Sequence, residues 1–305
     1  KDQLNSSMKP FEVILKGPLN ADFGDFSFVN IPLNLFSLFI PISPALTGLF
    51  GMSGKYRFGK SSPEITADLV LKEAMLQKKE FFLEKGKLSL VESLLQMDFS
   101  LRSKNSLEPV KLVGKVPLKS SLPMDIRVES HGDGLKFLDG LSNGAIVWNR
   151  GNADLRLLIR GTFQEPQANG FLVVRGGEFV VMEKTVKDLD SSILFDFNRL
   201  ELQKFKANIG DKGRIISKGA ITFFDDKYEE KYPLTVKMKK IPLKFNFLDV
   251  EASSDLLIKG SLIKPRLAGE IAIKEGFISP QRTSTSKKNT LGDEAKMSSS
   301  IGAKA

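Results

Sequence analysis

The chain has no cysteine, which removes disulfides, thiolate nucleophiles and cysteine-ligated zinc or iron–sulfur sites from consideration. Histidine is nearly absent too. His131 is the one imidazole among 305 residues, so a histidine-rich metal site is excluded and a serine–histidine–acid triad has one candidate base. That base sits in His131-Gly132-Asp133-Gly134, a turn sequence, which favours a loop histidine over a catalytic one. Long apolar runs are missing as well. The most apolar stretch, Ile31 to Phe50, is interrupted by Pro32, Pro41 and Pro44. A spanning helix needs about 20 mostly apolar residues with satisfied backbone bonds, so this chain is not expected to cross a membrane itself. The first residue is Lys1, and the chain reads as a segment of something longer.

Phosphate-loop chemistry finds no support in the glycine pairs. Arg175-Gly176-Gly177 and Gly210-Asp211-Lys212-Gly213 lack a Gly-Lys-Ser/Thr continuation and read as hairpin turns. No paired carboxylates stand out as an acid–base couple, and no cofactor or metal is expected. The formal net charge is +9, with 45 Lys and Arg against 36 Asp and Glu. Lys237-Met238-Lys239-Lys240 falls on alternating positions that send its lysines to solvent. Nucleic-acid binding would want exposed aromatics interleaved with such charge, and the phenylalanines lie on the opposite face, so no nucleic-acid partner is expected. Attraction to anionic lipid headgroups fits the charge better.

What is present is a period of two. Leu95, Met97, Phe99 and Leu101 alternate with Gln96, Asp98, Ser100 and Arg102. Ile193, Phe195 and Phe197 do the same, with Leu194 as an apolar intruder, and so do Leu234, Val236 and Met238. Alternation puts apolar side chains on one face of a sheet and polar ones on the other. The reading is all-β, mostly antiparallel, over residues 11–280, with at most short helical turns in the proline-broken Leu33–Leu49 region. With 23 Phe against three Tyr and one Trp, the apolar faces are built to be dry. Composition admits both an ordinary sandwich core and a groove for acyl chains.

An internal repeat adds to this. Asp154 to Gly161 recurs, two residues shorter, as Asp255 to Gly260. Gly161, Pro166, Gly170 and Gly177 have the same spacing as Gly260, Pro265, Gly269 and Gly276. The pattern predicts a strand ending at the first glycine, a proline turn, a second strand opening at the next glycine, and a bulge or turn at the last. Repetition of this kind predicts an elongated sheet that grows along one axis. The expected organisation is a loose end at 1–10, a first β module over 11–130, a second over 131–280 containing the two repeats, and a disordered Ser/Thr/Lys-rich tail over 281–305.

These segments, together with Ser192-to-Leu200, Ile65-to-Leu90 and Val113-to-Leu118, resemble the repeat region of TamB proteins, especially the cyanobacterial and plastid members. The resemblance implies an open sheet curled into a half-pipe, a "β-taco", with an apolar interior. It also implies an inner-membrane anchor and an Omp85/TamA-type outer-membrane partner, both contacted through regions outside this chain. The implied location is the periplasm or plastid intermembrane space. The implied activity is phospholipid transfer between membranes and support of outer-membrane protein assembly, or of import in plastids. No catalytic residues carry over, and an enzyme is not expected. The candidate lining for acyl chains is the alternating set Leu95, Met97, Phe99, Leu101, Ile193, Phe195, Phe197, Leu234, Val236 and Met238. The competing expectation is a scaffold that binds incoming polypeptide along exposed strand edges.

Overall fold

A computed structural model describes residues 11–18, 22–38, 46–58, 63–181, 184–224, 230–245 and 248–278. The expected loose ends, 1–10 and 281–305, lie outside the described residues. Eight strands come first: β1 (Glu12–Lys16), β2 (Phe23–Pro32), β3 (Leu46–Phe58), β4 (Pro63–Leu76), β5 (Lys79–Val91), β6 (Leu94–Ser103), β7 (Val110–Pro117) and β8 (Met124–Gly132). After a short helical insert come β9 (Ile146–Gly161), β10 (Pro166–Val181), β11 (Lys184–Phe197) and β12 (Arg199–Ile209). The last four are β13 (Gly213–Thr222), β14 (Leu234–Phe245), β15 (Leu248–Gly260) and β16 (Pro265–Ile278).

All sixteen strands form one sheet whose spatial order is the sequence order, each antiparallel to the next. The ends do not meet, so this is an open, curled sheet and not a barrel. The ladder runs unbroken from β8 to β9, across the position where the two modules were expected to join. Within the apolar segment expected to turn helical, Leu33–Leu38 forms a 3₁₀ helix.

The two repeats superimpose on the structure. β9 and β15 end at Gly161 and Gly260, with φ of 86° and 83°, and β10 and β16 begin at Pro166 and Pro265. The second strand therefore opens at the proline, four residues earlier than the spacing suggested, and the next glycine is an interior strand residue. Proline is tolerated there because the first residue of a strand need not donate to the ladder. Arg175-Gly176-Gly177 is a second difference. It is a β-bulge inside β10, where the pairing with β9 and β11 slips, and not a hairpin turn. Gly210–Gly213 does form the β12–β13 turn.

The insert between β8 and β9 carries no helical periodicity that announces it. It consists of a 3₁₀ turn, Gly134–Phe137, and one α-helical turn, α1 (Leu138–Leu141). It lies over the apolar face near one rim of the sheet and ties together two clusters. Leu135 is buried with Trp148, Val174, Val186 and Ile241. Phe137 meets Phe81 edge-on with ring centres 5.8 Å apart, beside buried Leu33, Ala74 and Leu76. Asp139 accepts the Trp148 backbone N–H at 2.8 Å and stands 3.7 Å from the Lys79 ammonium.

Asp133 anchors the insert. Its carboxylate accepts the backbone N–H groups of Leu107 and Glu108, the Ser106 hydroxyl and the Lys136 ammonium, at 2.9 to 3.1 Å. Burial opposes its ionisation, but those donors, Lys136 foremost, outweigh burial and hold its pKa at about 2. A carboxylate depressed in the fold stabilises it above the unfolded pKa and loses that contribution as pH falls through the folded one. Acid titration of the chain is expected to lose about 2 kcal/mol from this group between about pH 4 and pH 2. In Asp133→Asn that component of the denaturation profile disappears, and a profile unchanged from wild type would show that the anchor contributes nothing. A second expectation concerns Gly170 (φ 144°), where an added Cβ would stand 2.0 Å from the Arg156 carbonyl oxygen. Gly170→Ala should cost about 1–3 kcal/mol in chemical denaturation, whereas Gly176→Ala, where nothing stands within 4 Å, should cost less.

Candidate functional site: the apolar face of the sheet

Residues directly opposite one another in an antiparallel pair project from the same face, so the register traces each face across the whole sheet. From Phe99 the partners run Leu112, Val128, Leu157, Gly170, Phe195, Leu200 and Ile221. From Leu101 they run Val110, Ser130, Leu155, Leu172, Ile193 and Leu202. Met97 leads through Gly114, Ile126, Ile159 and Ala168 to Phe197, and Leu95 faces Val116. On β14, Val236 faces Ser217 and Leu256, Met238 faces Ile215 and Ser254, and Leu234 faces Ile258. Ser217 in turn faces Phe205, which faces Ser191, two residues from Ile193. All ten residues singled out from the sequence therefore sit on one face. With strands about 4.8 Å apart, that face extends roughly 70 Å from β1 to β16.

The face is not sealed. Leu95, Met97, Phe99, Leu101, Ile193, Phe195, Leu234, Val236 and Met238 are all half-buried. Phe197 is the outlier at 55% exposed, because it closes β11 in a left-handed conformation (φ 55°) at the rim. Toward the two ends the face opens further. Val13 and Leu15 on β1 share it with Phe26 and Phe28, and Leu267, Ile271 and Ile273 on β16 share it with Ile258, Ser254 and Ala252. These five are between 51% and 67% exposed. Large side chains repeatedly face glycine across the ladder: Phe26 faces Gly54, Phe99 faces Gly86 and Phe195 faces Gly170. A ring beside an empty position fills the strand surface without forcing the strands apart, which suits a sheet curling toward this side.

The opposite face is polar. Lys87 faces Asp98, Lys111 faces Glu129, and Arg160 lies 3.0 Å from Asp125. His131 belongs to this face, with its Nδ1 3.0 Å from Asp154 across the β8–β9 pair. An open hollow of about 800 Å³ on this side is lined by Lys55, Asp68, Lys87, Asp98 and Lys115. Its charged lining does not suit acyl chains. The string Gly54-Lys55-Tyr56-Arg57-Phe58-Gly59-Lys60-Ser61 fits the spacing of a phosphate-binding loop. Gly54 to Arg57 are nevertheless β3 residues paired on both sides, and β4 starts at Pro63 where such a loop would need a helix. Among the described residues no cluster of three or more His, Asp or Glu is placed to hold a metal ion, and no helix is long and apolar enough to cross a membrane.

Sequence reasoning missed the lining residues of β7 to β10, including Leu112, Val128, Leu157 and Leu172. β9 and β10 do not alternate cleanly, since Leu157-Leu158-Ile159 and Leu172-Val173-Val174 place apolar groups on both faces, whereas Met124, Ile126 and Val128 of β8 alternate with Asp125, Arg127 and Glu129 and were legible by the same rule. The repeat that begins at Asp154 was the available signal for β9 and β10.

Comparison with known proteins adds two findings. Residues 203–301 match the TamB C-terminal domain family. Protein TIC236, chloroplastic, of Arabidopsis thaliana is 24% identical over 157 residues, covering 50% of this chain and 7% of that much longer protein. No solved structure matches.

Exposed apolar side chains on an edge strand with unpaired backbone groups favour edge-to-edge pairing. The chain is expected to self-associate with rising concentration, and Ile271→Lys with Ile273→Lys should reduce that association in sedimentation velocity while leaving the melting temperature nearly unchanged. Association that persists in the double variant would place the contact elsewhere.

Proposed function

We propose, for a chain that belongs to the TamB family of translocation and assembly modules, that its apolar face is a track for phospholipid acyl chains between two membranes. The observation that carries this reading is the continuity of apolar rows across the sheet, combined with their incomplete burial. In a closed sandwich, central residues such as Met97, Leu157 and Val236 would be covered by a second layer. Here they keep access to solvent. Each CH₂ moved from water onto such a face is worth about 0.8 kcal/mol, so tails remain on the track while headgroups stay wet outside it. Movement along the face exchanges one set of methylene contacts for an equivalent set. It needs no bond chemistry, and the protein acts as a passive, non-enzymatic conduit.

The insert at Gly134–Leu141 narrows the usable width, because it covers the face near one rim. Passage would then follow the central and opposite parts of the strands, through Met97, Ile126, Ile159 and Phe195. The proposed setting is the space between inner and outer envelope membranes. The inner-membrane anchor and an Omp85/TamA-type outer-membrane partner would be contributed by regions outside this chain, with outer-membrane protein assembly supported by the same bridge.

A second reading has its own observation. Among the described residues β1 and β16 each have one pairing partner, and their other edges could add a strand of incoming polypeptide, making the chain a scaffold for protein export or import. Photo-crosslinking separates the two. A photoreactive residue replacing Met97 or Leu157 is expected to capture phospholipid in cells, detected by mass spectrometry, whereas one replacing Gln96 or Lys115 on the polar face should not. Capture of polypeptide at β16 with no lipid at Met97 or Leu157 would decide for the scaffold.

A further inference from the structure

On the polar face, most cross-strand charges meet an opposite charge or a neutral group, as Lys87 meets Asp98 and Lys237 meets Asp255 at 2.8 Å. Like charges do face each other between β15 and β16, Asp255 opposite Glu270 and Lys259 opposite Arg266. Near the rim that carries the insert, β12 to β14 gather like charges that have no ion pair among the described residues. Arg214 of β13 lies directly opposite Lys239 of β14. Like charges in that position destabilise a sheet. Two more cations join them: Lys212 in the β12–β13 turn, and Lys240, which the bulge between Met238 and Ile241 (φ 52° at Lys240) leaves exposed. No ion pair among the described residues involves Lys212, Arg214, Lys239 or Lys240. The four line an open hollow of about 800 Å³ together with Lys187, the side chains of Asn208 and Ser253, and three acids, Asp188, Asp211 and Glu251. Asp188 is already engaged, accepting from the Asn208 amide at 2.9 Å.

We infer that this hollow is a binding site for a phosphate-bearing anion, with a lipid headgroup at a membrane surface as its source. Three features support it. Cations outnumber acids at the site. Arg214 and Lys239 face each other, and neither has an ion-pair partner among the described residues. Arginine offers a planar fork suited to two phosphate oxygens, and lysine adds a mobile point charge. An anion between them turns a repulsion into two attractions. The site lies on the polar face, away from the apolar rows, and does not depend on the lipid-track reading.

The test uses the whole chain and phosphatidylcholine vesicles with and without phosphatidylglycerol, read by co-sedimentation. Binding to the anionic vesicles is expected, and R214Q/K239Q should weaken it about tenfold or more. K55Q/K115Q, an equal loss of charge elsewhere on the same face, should weaken it no more than about twofold. Because the double variant removes a like-charge pair, its melting temperature should be unchanged or higher, which guards against simple unfolding. Glycerol 3-phosphate, titrated by calorimetry, distinguishes the source. Binding of it that is lost in R214Q/K239Q, without vesicle binding, would support the phosphate site and assign it to soluble ligands. Equal weakening by both variants would reduce the effect to net charge, and undiminished vesicle binding in R214Q/K239Q would overturn the site.

Discussion

Everything in this molecule depends on keeping one side-chain parity through fifteen successive antiparallel pairings. A strand has two faces, and a slip of a single residue would send its whole apolar set to the polar side. The rows that pass through Phe99, Leu157 and Phe195 exist because no pairing between β6 and β11 makes that slip. Bulges occur, at Val174–Gly177 and at Met238–Ile241 among others, yet apolar residues resume on the same face beyond each of them. The glycine of each repeat serves the same end. Gly170 and Gly269 hold φ of 144° and 138° at matching places, where the carbonyl of the neighbouring strand leaves no room for a Cβ.

Parity alone leaves a sheet with one apolar face and nothing to cover it. Small domains usually bury such a face under a second layer. This chain buries only part of it, at the rim where Leu135 and Phe137 of the insert reach the clusters around Trp148 and Phe81. The anchoring of Asp133 by four donor groups explains how so short a helical piece holds its place. Elsewhere curling and the glycine–aromatic pairs shelter the apolar rows without sealing them. Among the described residues the same geometry leaves the apolar face half-exposed and gives β1 and β16 one pairing partner each, because the meander grows along its axis and does not close on itself.

The polar face follows a different logic. Its cross-strand charges mostly neutralise one another, which keeps the outside of the sheet soluble while adding little stability per pair. Like charges also meet between β15 and β16, where Asp255 faces Glu270 and Lys259 faces Arg266, but Arg214 and Lys239 take part in no ion pair among the described residues, and their opposition arises only when β13 and β14 are brought side by side.

By itself the sequence determined the all-β character, the direction of growth and the face that Met97, Phe195 and Val236 would occupy, because alternation is local and each strand carries its own copy of it. It also placed the two repeats, whose glycines mark backbone positions that other residues resist. Tertiary structure alone decided the rest. The strand start at Pro166, the bulge at Gly176 and the insert at 134–141 depend on contacts with neighbouring strands that no local pattern encodes. The exposure of Phe197 reflects its place at a rim, and the opposition of Arg214 to Lys239 depends on a pairing across a connection of eleven residues, from Phe223 to Pro233. Whether the apolar face becomes a core or an open track is the same kind of question. It turns on whether a second layer arrives over that face, and period-two alternation reads the same in either case.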